Sequence, residues 1–181
     1  TEVSQAEWKR VMSTNPSSHQ GDEFPVEKVS WDDARGFLLK VGLRLPSEAE
    51  WEYACRAGTT TPFATGATIT WNQANCNSDY AYGTVVPGRY RRETVEVGQL
   101  WRNAWGFADM HGNVWEWCED VKAGYPSSLG DERPSGTIGI RVSRGGAYYL
   151  NPRYCRSASR NSKDPAWRQD GTGFRAARSP R

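Results

Sequence analysis

The residues best equipped for chemistry in this chain are four cysteines and two histidines. Cys55, Cys76, Cys118 and Cys155 are separated by 21, 42 and 37 positions. Structural zinc sites draw on close pairs of the C-x-x-C kind, so this spacing points away from zinc. The four read first as buried, reduced, structural thiols, with a disulfide or a reactive thiol as the other options. His19 and His111 are too few for a three-histidine metal centre within the chain. There is no nucleophile elbow for a Ser-His-Asp hydrolase, and His111, in the turn-like MHGN, reads as a surface or loop-packing group.

A second concentration of chemistry lies in RVSRGGAYYLNPRYCRSASRNSKDPAWRQDGTGFR, from Arg141 to Arg175. Small and framework residues (Gly145, Gly146, Cys155, Ser157, Gly173, Phe174) alternate with Tyr148, Tyr149, Leu150, Tyr154, Trp167, Gln169 and Asp170. The second group contains the residue types that supply rigid contact area at low entropic cost.

Three helices are expected to position these segments. Ser4 with Glu7, and Ser47 with Glu50, have capping-box spacing. Ser30 is followed by Asp32 and Asp33, which favour the positive end of a helix. The first helix ends before Pro16, and Gly42 and Gly58 close the other two. Trp51 and Cys55, four apart, share an inward face. Strands are expected at TVEVG (Thr94 to Gly98), GNVWEW, RVSRGGAYY and GTGFRAAR.

Between the strands lie long aperiodic loops. The 181 residues suffice for one domain with a core, and 9 Trp and 8 Tyr among 18 Gly and 10 Pro suggest a loop-rich fold held by aromatic side chains. No apolar run approaches the ~20 residues of a membrane helix, and the sequence has no signal peptide.

Charge is unevenly divided. From Arg141 onward there are ten Lys/Arg against two Asp/Glu, whereas the first 140 residues hold 13 against 19. A basic tail can mark a nucleic-acid arm. This one also carries Gly-Gly, cysteine and aromatic residues of packed character, so its arginines are expected to fold back onto acidic residues such as Glu48, Glu50, Glu116 and Asp120.

The motifs PVEKVSWDDARGFL, RLPSEAEWEYACRAG, NAWGFADMHGNVWEWCED, RVSRGGAYY and GFRAAR occur in order. Together they resemble the formylglycine-generating-enzyme (sulfatase-modifying factor) family, a variant of the C-type lectin fold. The resemblance spans nearly the whole chain and implies one α+β domain over 1–181, loop-rich, with short strands and two to three helices. The resemblance implies that family members begin some tens of residues earlier with a strand, which here is either missing or supplied from outside the given sequence. A bacterial protein of the cytoplasm or cell surface is expected.

The family includes copper-dependent oxidases that convert a sulfatase cysteine to formylglycine. The resemblance implies that these hold Cu(I) between two cysteines five residues apart after the Gly-Gly. Here the second position is Cys155 and the first is Leu150, and Ala147 replaces a serine. Copper and catalysis are therefore not expected, with an oxidase or maturation factor using Cys155 as the alternative.

Other members are binding proteins, among them variable proteins of diversity-generating retroelements. Their C-terminal segment keeps Pro152, Arg153, Cys155, Arg156, Ser157, Ala158, Arg160, Pro165 and Arg168. The resemblance implies a recognition surface for a protein or other macromolecular ligand, formed by Tyr148, Tyr149, Leu150, Tyr154, Ser159, Ser162, Ala166, Trp167, Gln169 and Asp170. These side chains are expected to be solvent-accessible together on one face. Family Ca2+ sites imply two ligand sets: Asn75, Cys76 (carbonyl), Asp79 and Tyr80 (carbonyl) in one loop, and Asn113, Val114 (carbonyl) and Glu116 in the other.

Overall fold

In the computed structural model, residues 1–83, 88–122 and 139–179 are described. Each of the three helices is started by a full capping box. Ser4 Oγ accepts from Glu7 N and the Glu7 carboxylate accepts from Ser4 N at the head of α1, Gln5–Met12. Ser30 and Asp33 do the same for α2, Trp31–Lys40, and Ser47 and Glu50 for α3, Glu48–Arg56. Reciprocal bonds of this kind satisfy amide groups that the first turn leaves without partners. After α3 the chain reverses through Ala57 in the left-handed region (φ 45°), with Gly58 next.

The sheet has four short strands: β1 Trp115–Val121, β2 Arg141–Arg144, β3 Asn161–Lys163 and β4 Thr172–Gly173. Their order is β3-β2-β1-β4; β1 runs antiparallel to β2 and parallel to β4, and β2 runs antiparallel to β3. Thr94–Gly98 is not a strand. Val95 N donates to the Asn113 side chain at 2.9 Å and Val97 N to Glu23 O at 2.8 Å, so a side chain and a loop take the place of a neighbouring strand.

Tryptophans organise the core. Trp8 stacks on Phe37 with ring centroids 5.4 Å apart, and Phe174 meets both rings edge-on. The indoles of Trp31 and Trp117 are buried but not orphaned: Trp31 Nε1 donates to Cys118 O at 2.9 Å and Trp117 Nε1 to Val29 O at 3.0 Å. Each thereby buries a large apolar area and joins a helix-leading segment to β1.

The C-terminal arginines fold back as expected. Arg144 pairs with Glu52 and Glu48, Arg160 with Glu48, Arg168 with Asp33, and Arg175 with Glu116. Arg44 is half-buried and forms a two-pronged pair with Glu50. That pairing holds the Glu50 carboxyl down to about 2.

Trp117→Ala removes a fully buried ring and leaves the Val29 carbonyl without its donor. Truncations of this kind cost ~3–5 kcal/mol. Denaturant unfolding of the variant should show a correspondingly lower midpoint.

Candidate recognition surface

β2 leads into Gly145 and Gly146, and β4 leads out through Phe174 and Arg175. The path between them is set by close packing. Gly146 has φ +86°, and a Cβ there would stand 2.5 Å from Cys155 Sγ. The chain then turns through Asn151, whose side chain accepts from Arg153 N, into the 3-10 turn Pro152–Cys155. His111 braces this turn from below. Its Nε2 accepts from Ala64 N at 3.0 Å, and its Nδ1 lies 2.8 Å from Cys155 O, which fixes the neutral Nδ1–H tautomer. Burial pushes its pKa down to about 4.

The residues expected to form a recognition surface divide into buried and exposed positions. Tyr149, Gln169 and Trp167 form a connected row: Trp167 Nε1 donates to Gln169 Oε1 at 3.3 Å, and Gln169 Nε2 donates to Tyr149 Oη at 3.2 Å. Trp167 is exposed, and Tyr149 and Gln169 are half-buried. Tyr148 meets Tyr149 edge-on at 5.1 Å. Gly171 (φ +72°) makes room for both rings, since a Cβ there would lie 2.8 Å from Tyr149 and 3.2 Å from Tyr148. Half-buried Asp170 borders the row, bonded to Ser18 Oγ at 3.0 Å and paired with Lys28 at 3.7 Å. Burial and Asp170 push the Tyr148 hydroxyl up to about 12 and also raise Tyr149, so both remain neutral hydrogen-bonding groups.

Other positions lie elsewhere. Tyr154 is exposed on the 3-10 turn under the Arg153 guanidinium, 4.9 Å from the ring centroid. Ala166 is exposed, Leu150 is half-buried, and half-buried Ser162 pairs with Val142 across the sheet. Two expected surface positions belong to the frame. Tyr148 is buried because its ring packs between His19 and Tyr149. Ser159 is buried because its hydroxyl donates to Arg153 O at 3.1 Å and its carbonyl accepts from Arg144. Of the expected frame residues, Arg156 is exposed but tied to Arg153 O at 2.8 Å.

The residues that border the surface and that sequence reasoning missed are Ser18, His19 and Lys28 from the loop before α2, and Lys163, whose ammonium stands 5.2 Å from the Trp167 centroid. Lys163 precedes Trp167 by four residues, a usable signal. The others come from the opposite end of the chain and carry none.

Calcium is tested by the oxygens it would need. Asn113 Oδ1 accepts from Asn75 Nδ2 at 3.1 Å and Val95 N at 2.9 Å. Glu116 gives both oxygens to Arg175 and one also to Trp51 Nε1, so a guanidinium already neutralises it. The third member of this set is the main-chain carbonyl of Val114. In the other loop Asn75 is buried whereas Asp79 and Tyr80 are exposed, and Cys76 O accepts from Ser78 Oγ at 3.3 Å. Among the described residues, no group of three or more His, Cys, Asp or Glu could hold a metal. Asn75 Oδ1 is buried with no hydrogen-bond partner, whereas the oxygens of Asn113 and Glu116 are already engaged and leave the second set short of the six to eight that Ca2+ takes.

The model of the sulfatase-modifying factor enzyme 1-like domain matches residues 1–180. The chain belongs to this family. Within it, the chain is 35% identical over 187 residues to the formylglycine-generating enzyme of Streptomyces coelicolor, covering 95% of this chain and 58% of that protein. It is 31% identical over 189 residues to the Mus musculus formylglycine-generating enzyme, covering 97% of this chain and 50% of that one. It thus spans between half and three-fifths of the length of these relatives. Among solved structures it resembles Treponema denticola variable protein 1, with a TM-score of 0.79, 27% identity, and coverage of 96% of this chain and 80% of that one.

The fold is the α+β, C-type lectin-like fold of this family, with three helices, a small mixed sheet and extensive loops. Among the described residues no helix is long and apolar enough to cross a membrane. At the position that the resemblance gives to the first copper thiolate stands Leu150, and Cys155 is fully buried.

His111 yields a pH prediction. Its folded pKa lies below its unfolded one, so its stabilising contribution is complete above about 6.5 and is lost as pH falls toward about 4. The urea midpoint should therefore decline across that window. Imidazole nitrogen NMR should show His111 still neutral between those values.

Proposed function

We propose that this domain binds a protein or other macromolecular ligand without catalysing a reaction on it. Its recognition surface comprises the Trp167–Gln169–Tyr149 row with Asp170, extended by Leu150, Tyr154 and Ala166. The observation that carries this reading is the division of labour in one segment. Exposed or half-buried aromatic and amide side chains alternate with buried Gly146, Cys155, Phe174 and Arg175, which hold the path of the chain. A surface held in this way loses little freedom on binding, and Tyr and Trp are the usual anchors of such contacts. The similarity to a variable protein at 27% identity supports the same reading and suggests that these positions are ones that vary. Seven positions are open to solvent at least in part, and their replacement does not create a core cavity.

The alternative, an oxidase or maturation factor using Cys155, has a weaker basis. Cys155 is closed in by Gly146 and by the cluster of Phe63, Ile69, Ala74 and Cys76. A basic nucleic-acid interface has less support, because Arg144, Arg160, Arg168 and Arg175 are paired with carboxylates.

The test begins with affinity capture from an extract of cell-surface and secreted proteins, followed by interferometry with each purified partner. Replacing Tyr149, Tyr154 and Trp167 together by Ala should abolish binding while moving the thermal midpoint by no more than a few degrees. Unfolding of the triple variant would show that these rings are core and end the display reading. Separately, a cysteine-containing sulfatase peptide incubated with the protein, copper and oxygen should remain unmodified by mass spectrometry. Formylglycine formed at a catalytic rate would restore the oxidase.

A further inference from the structure

Cys76 and Cys155 are 79 positions apart in sequence, yet the fold brings them into one buried cluster. Both are buried in the same small apolar cluster with Phe63, Ile69 and Ala74. The approach is enforced from both sides. Asn77 N donates to Leu150 O at 2.8 Å, which lays the Cys76 loop along the recognition segment. On the other side Gly146 presses against Cys155 Sγ, and His111 holds the Cys155 carbonyl. Ser78 Oγ lies 3.9 Å from Cys76 Sγ. The other two cysteines have different surroundings. Cys55 faces Ser157 Oγ at 3.5 Å and Met110 O at 3.7 Å, and Cys118 faces Glu116 O at 3.8 Å.

We propose that Cys76 and Cys155 are a cross-linking site: in a medium containing small-molecule disulfides they join as a disulfide that pins the 3-10 turn of the recognition segment to the loop at 74–78. The chemistry balances as thiol–disulfide exchange. One of the two thiolates attacks one sulfur of an oxidised small-molecule disulfide and expels one thiolate. The other, deprotonated in turn, attacks the protein sulfur of the mixed disulfide and expels the second. The protein loses two hydrogens, and the small disulfide is reduced to two thiols. Folding is the stage at which both sulfurs are within reach of the oxidant, because neither is exposed afterwards.

The cross-link itself does not depend on the proposed recognition function; only its effect on a binding surface rests on that reading. The full chain is reduced, unfolded, and refolded in a glutathione redox buffer. It is then denatured with an alkylating agent present and digested without reductant. A single linked peptide pair containing Cys76 and Cys155 is expected, with Cys55 and Cys118 alkylated. The oxidised protein should unfold at higher denaturant than the same protein after reduction. Four alkylated cysteines, a different dominant pair, or identical midpoints for the two forms would overturn the proposal. Because the readout is the linkage map, this result is independent of whether a binding partner is found.

Discussion

The interaction on which the structure depends is the burial of Glu116. A carboxylate at zero exposure in the central strand is tenable only if its charge and lone pairs are met. Arg175 meets them with two nitrogens and Trp51 with a third. The three residues come from β1, the segment after β4, and α3. Satisfying one charge therefore fixes a helix, the sheet and the end of the recognition segment relative to one another. Removing either charged partner would strand the other in the core, a far larger penalty than losing a surface ion pair. In the same way Arg144, Arg160 and Arg168 draw part of the basic tail onto carboxylates of the acidic body.

Glu116 also explains the poor fit to calcium. A carboxylate already matched to a guanidinium has little left to give a cation, and Asn113 spends its amide on Asn75, Val95 and Glu2. Oxygen-rich motifs look alike in sequence whether they hold an ion or hold the chain. Only the partners tell them apart.

Local features were the most legible. Capping boxes operate over three residues, so Ser4/Glu7 and Ser47/Glu50 marked two helices, and Ser30 with Asp33 marked the third. GNVWEW and RVSR were readable as strands because each is rich in residues that pack on a sheet. Thr94–Gly98 was misleading: alternation reports which side chains face inward, and here an asparagine side chain takes the ladder's place. The three-residue β3, Asn161–Lys163, is polar and carries no periodic signal of its own. In the recognition segment, residue type separated most surface positions from frame positions. It failed for Tyr148 and Ser159, whose burial comes from His19 and Arg144, residues far away in sequence. The meeting of Cys76 with Cys155 was equally hidden, since no spacing rule connects positions so distant.

The row Trp167–Gln169–Tyr149 has a consequence for how such a surface can evolve. Gln169 is acceptor to one ring and donor to the other, so its replacement changes the setting of both neighbours at once. Residues that share partners do not contribute additively. A substitution at Tyr149 that is useless beside Gln169 can therefore be useful beside another residue, and the reverse. If the proposed recognition role holds, fitness at this surface is a property of combinations, and altering several of these positions at once reaches arrangements that single steps, each selected alone, would pass by.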